Sequence, residues 1–212
     1  MSEERGVCPK SLTGSSPDVR GAAIQHYLSA VIHLAAYTGL RRGELAGLTW
    51  KNVKLNAGYL SVVQSLVVTA HGVKLEPPKT RAGLRDVDLD LDTVALLRRH
   101  RNAQCRSAKA LGIEPPEMVF PKQDWTDWCR PTVIARVVSR WAERAGCPKL
   151  TLHSLCHFHA SMLLQSGVNP SVVAERLGHS NPAITMSIYA HCLPGWQRGA
   201  ADAFSDLIRE AA

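Results

Sequence analysis

Apolar positions along the chain change period several times, and each change marks an element. From Ala22 to Tyr37 they recur at helical spacing (Ile24, Leu28, Val31, Ile32, Ala35), which predicts a helix interrupted at Gly39. "RRGELAGLTW" has the charge and apolar period of a second, short helix. "GYLSVVQSL", "VKLEP" and "LRDVDL" are short β-branched segments parted by "TAHG" and "PKTRAG", and predict a three-stranded antiparallel meander. A helix over about 92–111 begins near Asp92 and stops at Gly112.

The last third is helical. "RPTVIARVVSRWAERAG" has Pro131 near its start and Gly146 at its end, the usual asymmetry of helix ends. "HSLCHFHASMLLQSG" is closed by Gly167. "NPSVVAERLG" has Asn169 as cap, Pro170 at the first helical position and Gly178 beyond the last turn. "SNPAITMSIYAH" repeats the Asn–Pro start. The fold class is α+β: mostly helices with one small three-stranded antiparallel sheet. Residues 1–20 read as a poorly ordered arm, 21–193 as the main domain and 194–212 as a tail. That tail carries an amphipathic helix with Ala203, Phe204, Leu207 and Ile208 on one side.

Composition narrows the setting. With 25 Lys plus Arg against 18 Asp plus Glu the net charge is +7, which suits a polyanionic partner because clustered cations release phosphate counterions. The 6 cysteines form no C-x-x-C pair, so neither a zinc ribbon nor a redox motif is signalled. "MSEERGVCPK" has no signal-peptide character, and "YLSAVIHLAAY" is too short and polar to span a bilayer. A cytoplasmic, reducing setting with mostly free thiols is expected, with no membrane association.

The local chemistry of "HSLCH" (153–157) leaves three readings: metal ligands, a thiol–imidazole pair, or side chains packed on a helix. The wider set of motifs narrows them. "TGLRRGELAGLTW" (38–50) resembles the first motif of the tyrosine recombinase (phage integrase) family. "PKTRAGLRDVDL" (78–89) is similar to that family's lysine hairpin. "HSLCHFHASMLLQSG" aligns with its H-x-L-R-H-x-x-A-S helix, and "ERLGHSNPAITMSIYAH" (175–191) with its L-G-H and nucleophile segment. The resemblance covers roughly 22–191, the family's catalytic domain. It implies a DNA breaking-rejoining domain whose substrate is double-stranded DNA, acting without metal, cofactor or small-molecule substrate. It also implies a homo-oligomer, a tetramer on DNA, in which the tail docks on a neighbour or folds back on its own domain.

Residue by residue, the resemblance implies catalytic roles for Arg41, Lys79, His153, His179 and Tyr189, with Glu44 and His157 in support. Tyr189 would form a 3′-phosphotyrosyl link, Lys79 would protonate the leaving 5′-oxygen, and His153 would act as base. Arg41 and His179 would hold the non-bridging oxygens. His159 is expected to pack or hydrogen-bond rather than react.

Cys156 departs from the pattern, because the family has its second active-site arginine there. A thiol is short and neutral and cannot replace a guanidinium, so impaired strand cleavage is expected. Arg176 and Arg81 are stand-ins by proximity in sequence. A non-catalytic DNA-binding relative is the competing reading, and a type IB-like topoisomerase a remote one. A second departure is length: only about 20 residues precede the first helix, where the family usually carries a DNA-clamping domain. Weak, salt-dependent DNA affinity is expected in consequence.

Overall fold

The computed structural model describes residues 19–122, 125–181, 183, 201, 204–206 and 208–209. Tyr189 and most of the tail, including Ala203 and Leu207, lie outside the described residues.

Helix α1 (Val19–Thr38) begins three residues before the periodicity suggests, and ends where Gly39 takes a left-handed conformation (φ 66°). An ideal Cβ on Gly39 would lie 3.0 Å from His159 Cδ2, so both backbone and neighbour require glycine there. The five-residue α2 (Arg42–Ala46) follows at once.

The β segments arrange differently from a simple meander. A three-stranded antiparallel sheet is present, but it consists of β1 (Val53–Lys54), β2 (Tyr59–Val62) and β5 (Arg85–Asp88) in that order. Strands β3 (Ser65–Thr69) and β4 (Gly72–Glu76) form a separate hairpin. "GYLSVVQSL" is therefore two strands, bent at Val63–Gln64, where the Gln64 amide donates to Gly47 O at 2.8 Å. The bend seats β3 on α2, and Gly47 permits the approach: a Cβ there would come 2.9 Å from the Leu66 backbone nitrogen. Pro77 and Pro78 cannot donate ladder hydrogen bonds, so β4 ends before them and the chain re-enters as β5 beside β2. The register sets Leu60 opposite Val87 and Val62 opposite Arg85.

Helix α3 (Leu91–Leu111) is capped by Asp90, whose carboxylate accepts from Thr93 N, and closes on left-handed Gly112. Then come α4 (Pro131–Arg144), α5 (Leu152–Gln165) and α6 (Pro170–Leu177). Asn169 caps α6, and Gly146, Gly167 and Gly178 have positive φ at the helix ends, as expected; Thr151, not singled out in the sequence, caps α5.

One apolar cluster, including Leu34, Leu40, Leu45, Leu60, Val87, Leu97, Phe120, Ile134 and Leu155, joins the first helices, the sheet and α3–α5. A smaller one (Ala160, Leu164, Val173, Leu177) clamps α6 onto α5. Each fully buried side chain of this size contributes about 1.5–3 kcal/mol, so the junction between α1, α2, α5 and α6 is firmly held. That junction positions the site. Among the described residues, no helix is long and apolar enough to cross a membrane.

Candidate active site

Three segments distant in sequence meet at the end of α1. The first is the turn into α2. Arg41 there has its side chain 46% exposed, whereas that of Glu44 is 5% exposed. The Glu44 carboxylate accepts from Arg41 N at 2.9 Å and from Arg41 Nη1 at 3.0 Å. It thus caps the helix start and fixes the guanidinium together. Arg41 Nη2 donates to Gly178 O at 3.2 Å, across 137 residues. Two edges of the fork are tied to protein, and the side chain still reaches solvent.

The second segment is α5. Cys156 is half-buried, and its thiol donates to Leu40 O at 3.1 Å, immediately before Arg41. Burial, then the neighbouring Glu44 carboxylate, push the thiol up to about 11, so it is protonated at neutral pH. The metal reading of "HSLCH" finds no donor set: no three His, Cys, Asp or Glu among the described residues are grouped to hold an ion. His153 and His157 share a hydrogen bond between Nε2 atoms at 3.0 Å, so one ring donates while the other accepts. Burial, then the charge of His153, lower the affinity of His157 for a second proton. His159 points the opposite way. Its Nδ1 donates to Ala36 O at 3.0 Å, and its Nε2 accepts from Arg176 Nε at 3.1 Å. It is buried and hydrogen-bonded, as read from the sequence.

The third segment is the end of α6. His179 follows left-handed Gly178, and its backbone N–H closes the helix on Ala174 O at 2.9 Å. Burial first, then the charges of Arg41 and Arg85, lower its imidazole, which is therefore neutral at pH 7. Lys79 stands apart from these bonds, exposed in the turn between β4 and β5.

Arg176 is not positioned as a stand-in for the missing arginine. Besides His159, its Nη2 donates to Tyr37 O at 3.2 Å and Asp88 O at 3.0 Å, so the side chain locks α6 to α1 and β5. Arg81 is exposed in the short turn Arg81–Gly83, two residues from Lys79.

The residue to which the motifs assign no role is Arg85, inside the 78–89 segment. Its side chain is 4% exposed and meets Glu44 in two bonds, Nη1 to Oε1 at 3.2 Å and Nη2 to Oε2 at 3.0 Å. Its Nε donates to Arg176 O at 2.7 Å and its Nη1 also to Gly83 O at 3.2 Å. Burial alone would raise the Glu44 carboxyl, but hydrogen bonds and charge from Arg85, then Arg41, outweigh it and hold the group below its ordinary value. A signal existed in the sequence: strand alternation puts Arg85 and Val87 on one face and Asp86 and Asp88 on the other. A charge in phase with a core residue calls for a buried partner.

The chain is similar to known proteins in sequence and in fold. Residues 16–194 match the model of the phage integrase family. The chain is 30% identical over 203 residues to a XerC-like tyrosine recombinase of Caldanaerobacter subterraneus subsp. tengcongensis, covering 90% of this chain and 52% of that protein. It is 27% identical over 175 residues to the ICEBs1 integrase of Bacillus subtilis, covering 82% and 48% respectively. The chain thus spans about half the length of these curated relatives. Among solved structures, the Tn1549 transposon integrase in complex with transposon right end DNA superposes with a TM-score of 0.71 at 20% identity, over 92% of this chain and 67% of that one. XerA recombinase does so with a TM-score of 0.62 at 22% identity, over 93% and 66%. At such identities the superpositions speak for the fold, and the motif match over most of the sequence speaks for the family. This chain belongs to the phage integrase family of tyrosine recombinases.

Proposed function

We propose that this chain is the catalytic domain of a site-specific DNA recombinase, with strand cleavage impaired by Cys156. The observation that carries the reading is the meeting of Arg41, Cys156 and the Gly178–His179 turn around one carboxylate-anchored guanidinium. A scissile phosphate needs donors on its non-bridging oxygens, where charge grows as the reaction proceeds. The half-exposed Arg41 offers a planar fork for two of them. Neutral His179 offers a third.

In the proposed reaction Tyr189 Oη attacks phosphorus in line. Its proton passes to His153, the 5′-oxygen leaves with a proton from Lys79, and the P–O bond to tyrosine keeps the phosphodiester energy. Attack by a partner strand's 5′-hydroxyl reverses the steps and rejoins the DNA. An ordinary phenol, with a pKa of about 10, benefits from a base at neutral pH. The His153–His157 hydrogen bond gives that base an orienting partner.

Cys156 removes a cation from this arrangement. Two guanidiniums, Arg41 and Arg85, face one carboxylate, Glu44, leaving one net positive charge where a further arginine would make two. Loss of one such donor slows other enzymes on the order of 100–1,000-fold. A non-catalytic DNA-binding relative is the second reading, favoured by a thiol that is satisfied by Leu40 O and buries no unpaired donor.

The partner is double-stranded DNA, and assembly on it is as a tetramer through the tail. Phe204 and Ile208 are 66% and 55% exposed, leaving an apolar face to cover. Deleting residues 200–212 should lower assembly on DNA without lowering the melting temperature.

Covalent trapping on a nicked duplex built from DNA flanking the gene tests the central claim. The chain as it stands, Cys156→Arg, and Tyr189→Phe as blank are compared. The phosphotyrosyl adduct is expected with Cys156→Arg, and at least 100-fold more slowly with Cys156. Equal trapping by both overturns the account of Cys156. DNA binding without adduct in either supports the non-catalytic reading.

A further inference from the structure

Arg85 and Arg41 share one carboxylate but face different surroundings. Arg41 has its side chain 46% exposed, whereas that of Arg85 is 4% exposed, out of reach of a phosphate on the surface. All three guanidinium nitrogens of Arg85 are engaged, by Glu44 from α2, Gly83 from the turn after Lys79, and Arg176 from the end of α6. Arg41 in turn reaches Gly178, two residues beyond Arg176. The bonds close a ring: Arg41 to Glu44, Glu44 to Arg85, Arg85 to the end of α6, and that end back to Arg41.

We propose that Arg85 is a positioning residue of the site, whose guanidinium holds the Arg41 fork, the Lys79 turn and the His179 turn in one frame without touching DNA. The proposal rests on the strand-cleavage reading above. Three features carry it. The segments joined are those that present Arg41, Lys79 and His179. The bonds are directional, to two carboxylate oxygens and two carbonyls, as a planar five-donor group allows and an ammonium does not. Moreover, a buried ion pair is by itself weak evidence of stability, since an apolar pair of the same volume often does as well. What the pair does uniquely here is set separations. Gly178 is part of the device: a Cβ there would stand 2.7 Å from Arg85 Nη1 and 3.1 Å from Ala82 O, in a backbone of φ +67°. Glycine leaves the guanidinium its place.

Three substitutions test this in the Cys156→Arg chain on the nicked duplex. Arg85→Lys keeps the charge but not the fork. It should slow adduct formation at saturating DNA on the order of 100-fold, the cost of a misplacement near 1 Å, with the half-saturating DNA concentration unchanged. Gly178→Ala pushes on the guanidinium without removing it and should do the same. Gly167→Ala imposes comparable backbone strain (φ +83°) with nothing within 4 Å of the new Cβ, and should cleave at the parent rate. Rates are taken per folded molecule, from the native fraction by circular dichroism. Parent-rate cleavage by Arg85→Lys overturns the proposal, as does equal slowing by Gly178→Ala and Gly167→Ala.

A third measurement is independent of activity. In the chain with Cys156, the imidazole of His179 is titrated by NMR with and without Arg85→Met. Loss of the Arg85 charge and of the tie to the end of α6 should raise its midpoint. An unmoved midpoint overturns the frame. A Cys156→Arg parent that forms no adduct overturns the cleavage reading instead, and the titration then decides the frame alone.

Discussion

Glu44 accepts from two arginines at once: Arg41, three residues away on the same turn, and Arg85, forty-one residues away on β5, both at 3.0 Å. Glu44 and Arg85 are almost fully out of water, while Arg41 leads from the carboxylate to the surface. A buried charge costs several kcal/mol unless paired, so each arginine supplies what the carboxylate needs while the carboxylate orients both.

Glu44→Gln should therefore destabilise the fold on the order of 3–5 kcal/mol, because two guanidiniums keep their positions and lose the opposing charge. The urea midpoint measures the effect. The same substitution removes a charge that raises the Cys156 thiol, whose titration should move down. A midpoint unchanged by Glu44→Gln would show that the arginines are satisfied elsewhere.

Cys156 should behave as an inert thiol. Its titration near 11 leaves little thiolate at pH 8, and thiolate is the reactive form. Residue-resolved alkylation with iodoacetamide at pH 8 should label the exposed Cys105 and Cys147 well before Cys156. Faster labelling of Cys156 would contradict the burial and carboxylate arguments together.

His159 makes the fold sensitive to acid. Burial first, then the Arg176 charge, bring it down to about 4, and its two hydrogen bonds define the neutral ring with the proton on Nδ1. Protonation would set an N–H against Arg176. A histidine whose folded value is depressed contributes stability that is fully present above the unfolded value near 6.5. That contribution is lost as pH falls towards 4 and amounts to on the order of 3 kcal/mol. Urea midpoints between pH 7 and 4 should fall with this profile, and His159→Gln should flatten it.

Lys79 lies in the exposed turn after Pro77 and Pro78, and its proposed role is to protonate the leaving 5′-oxygen. In the Cys156→Arg chain, Lys79→Met should slow cleavage of ordinary duplex roughly 100–10,000-fold, the usual contribution of a general acid. A duplex with sulfur at the bridging 5′ position needs no such proton and should be cleaved equally with or without the lysine. Equal slowing on both duplexes would assign Lys79 to binding rather than proton transfer.

Much of the architecture was legible from local chemistry. Asn169 caps α6, and Gly112, Gly146, Gly167 and Gly178 take positive φ at helix ends, as read from the sequence, because capping involves neighbours within four residues; the caps Asp90 and Thr151 came from the structure. The Arg41–Glu44 contact was legible for the same reason: one helical turn separates the two.

Contacts between distant segments were not legible in this way. The three-stranded sheet was expected from consecutive segments, yet "GYLSVVQSL" breaks at Gln64 so that its second half can lie on α2, and Pro77–Pro78 send the chain back to β2. Arg176 sits beside the site in sequence, but packing of α6 on α1 and β5 turns it to His159 and two carbonyls. Periodicity and capping report on neighbours a few residues away, so the sequence by itself determined the described helices from α1 to α6 and most of their ends. Which arginine fills the Glu44 carboxylate depends on β5 and α2 being brought together by the core, and only the tertiary structure decided that.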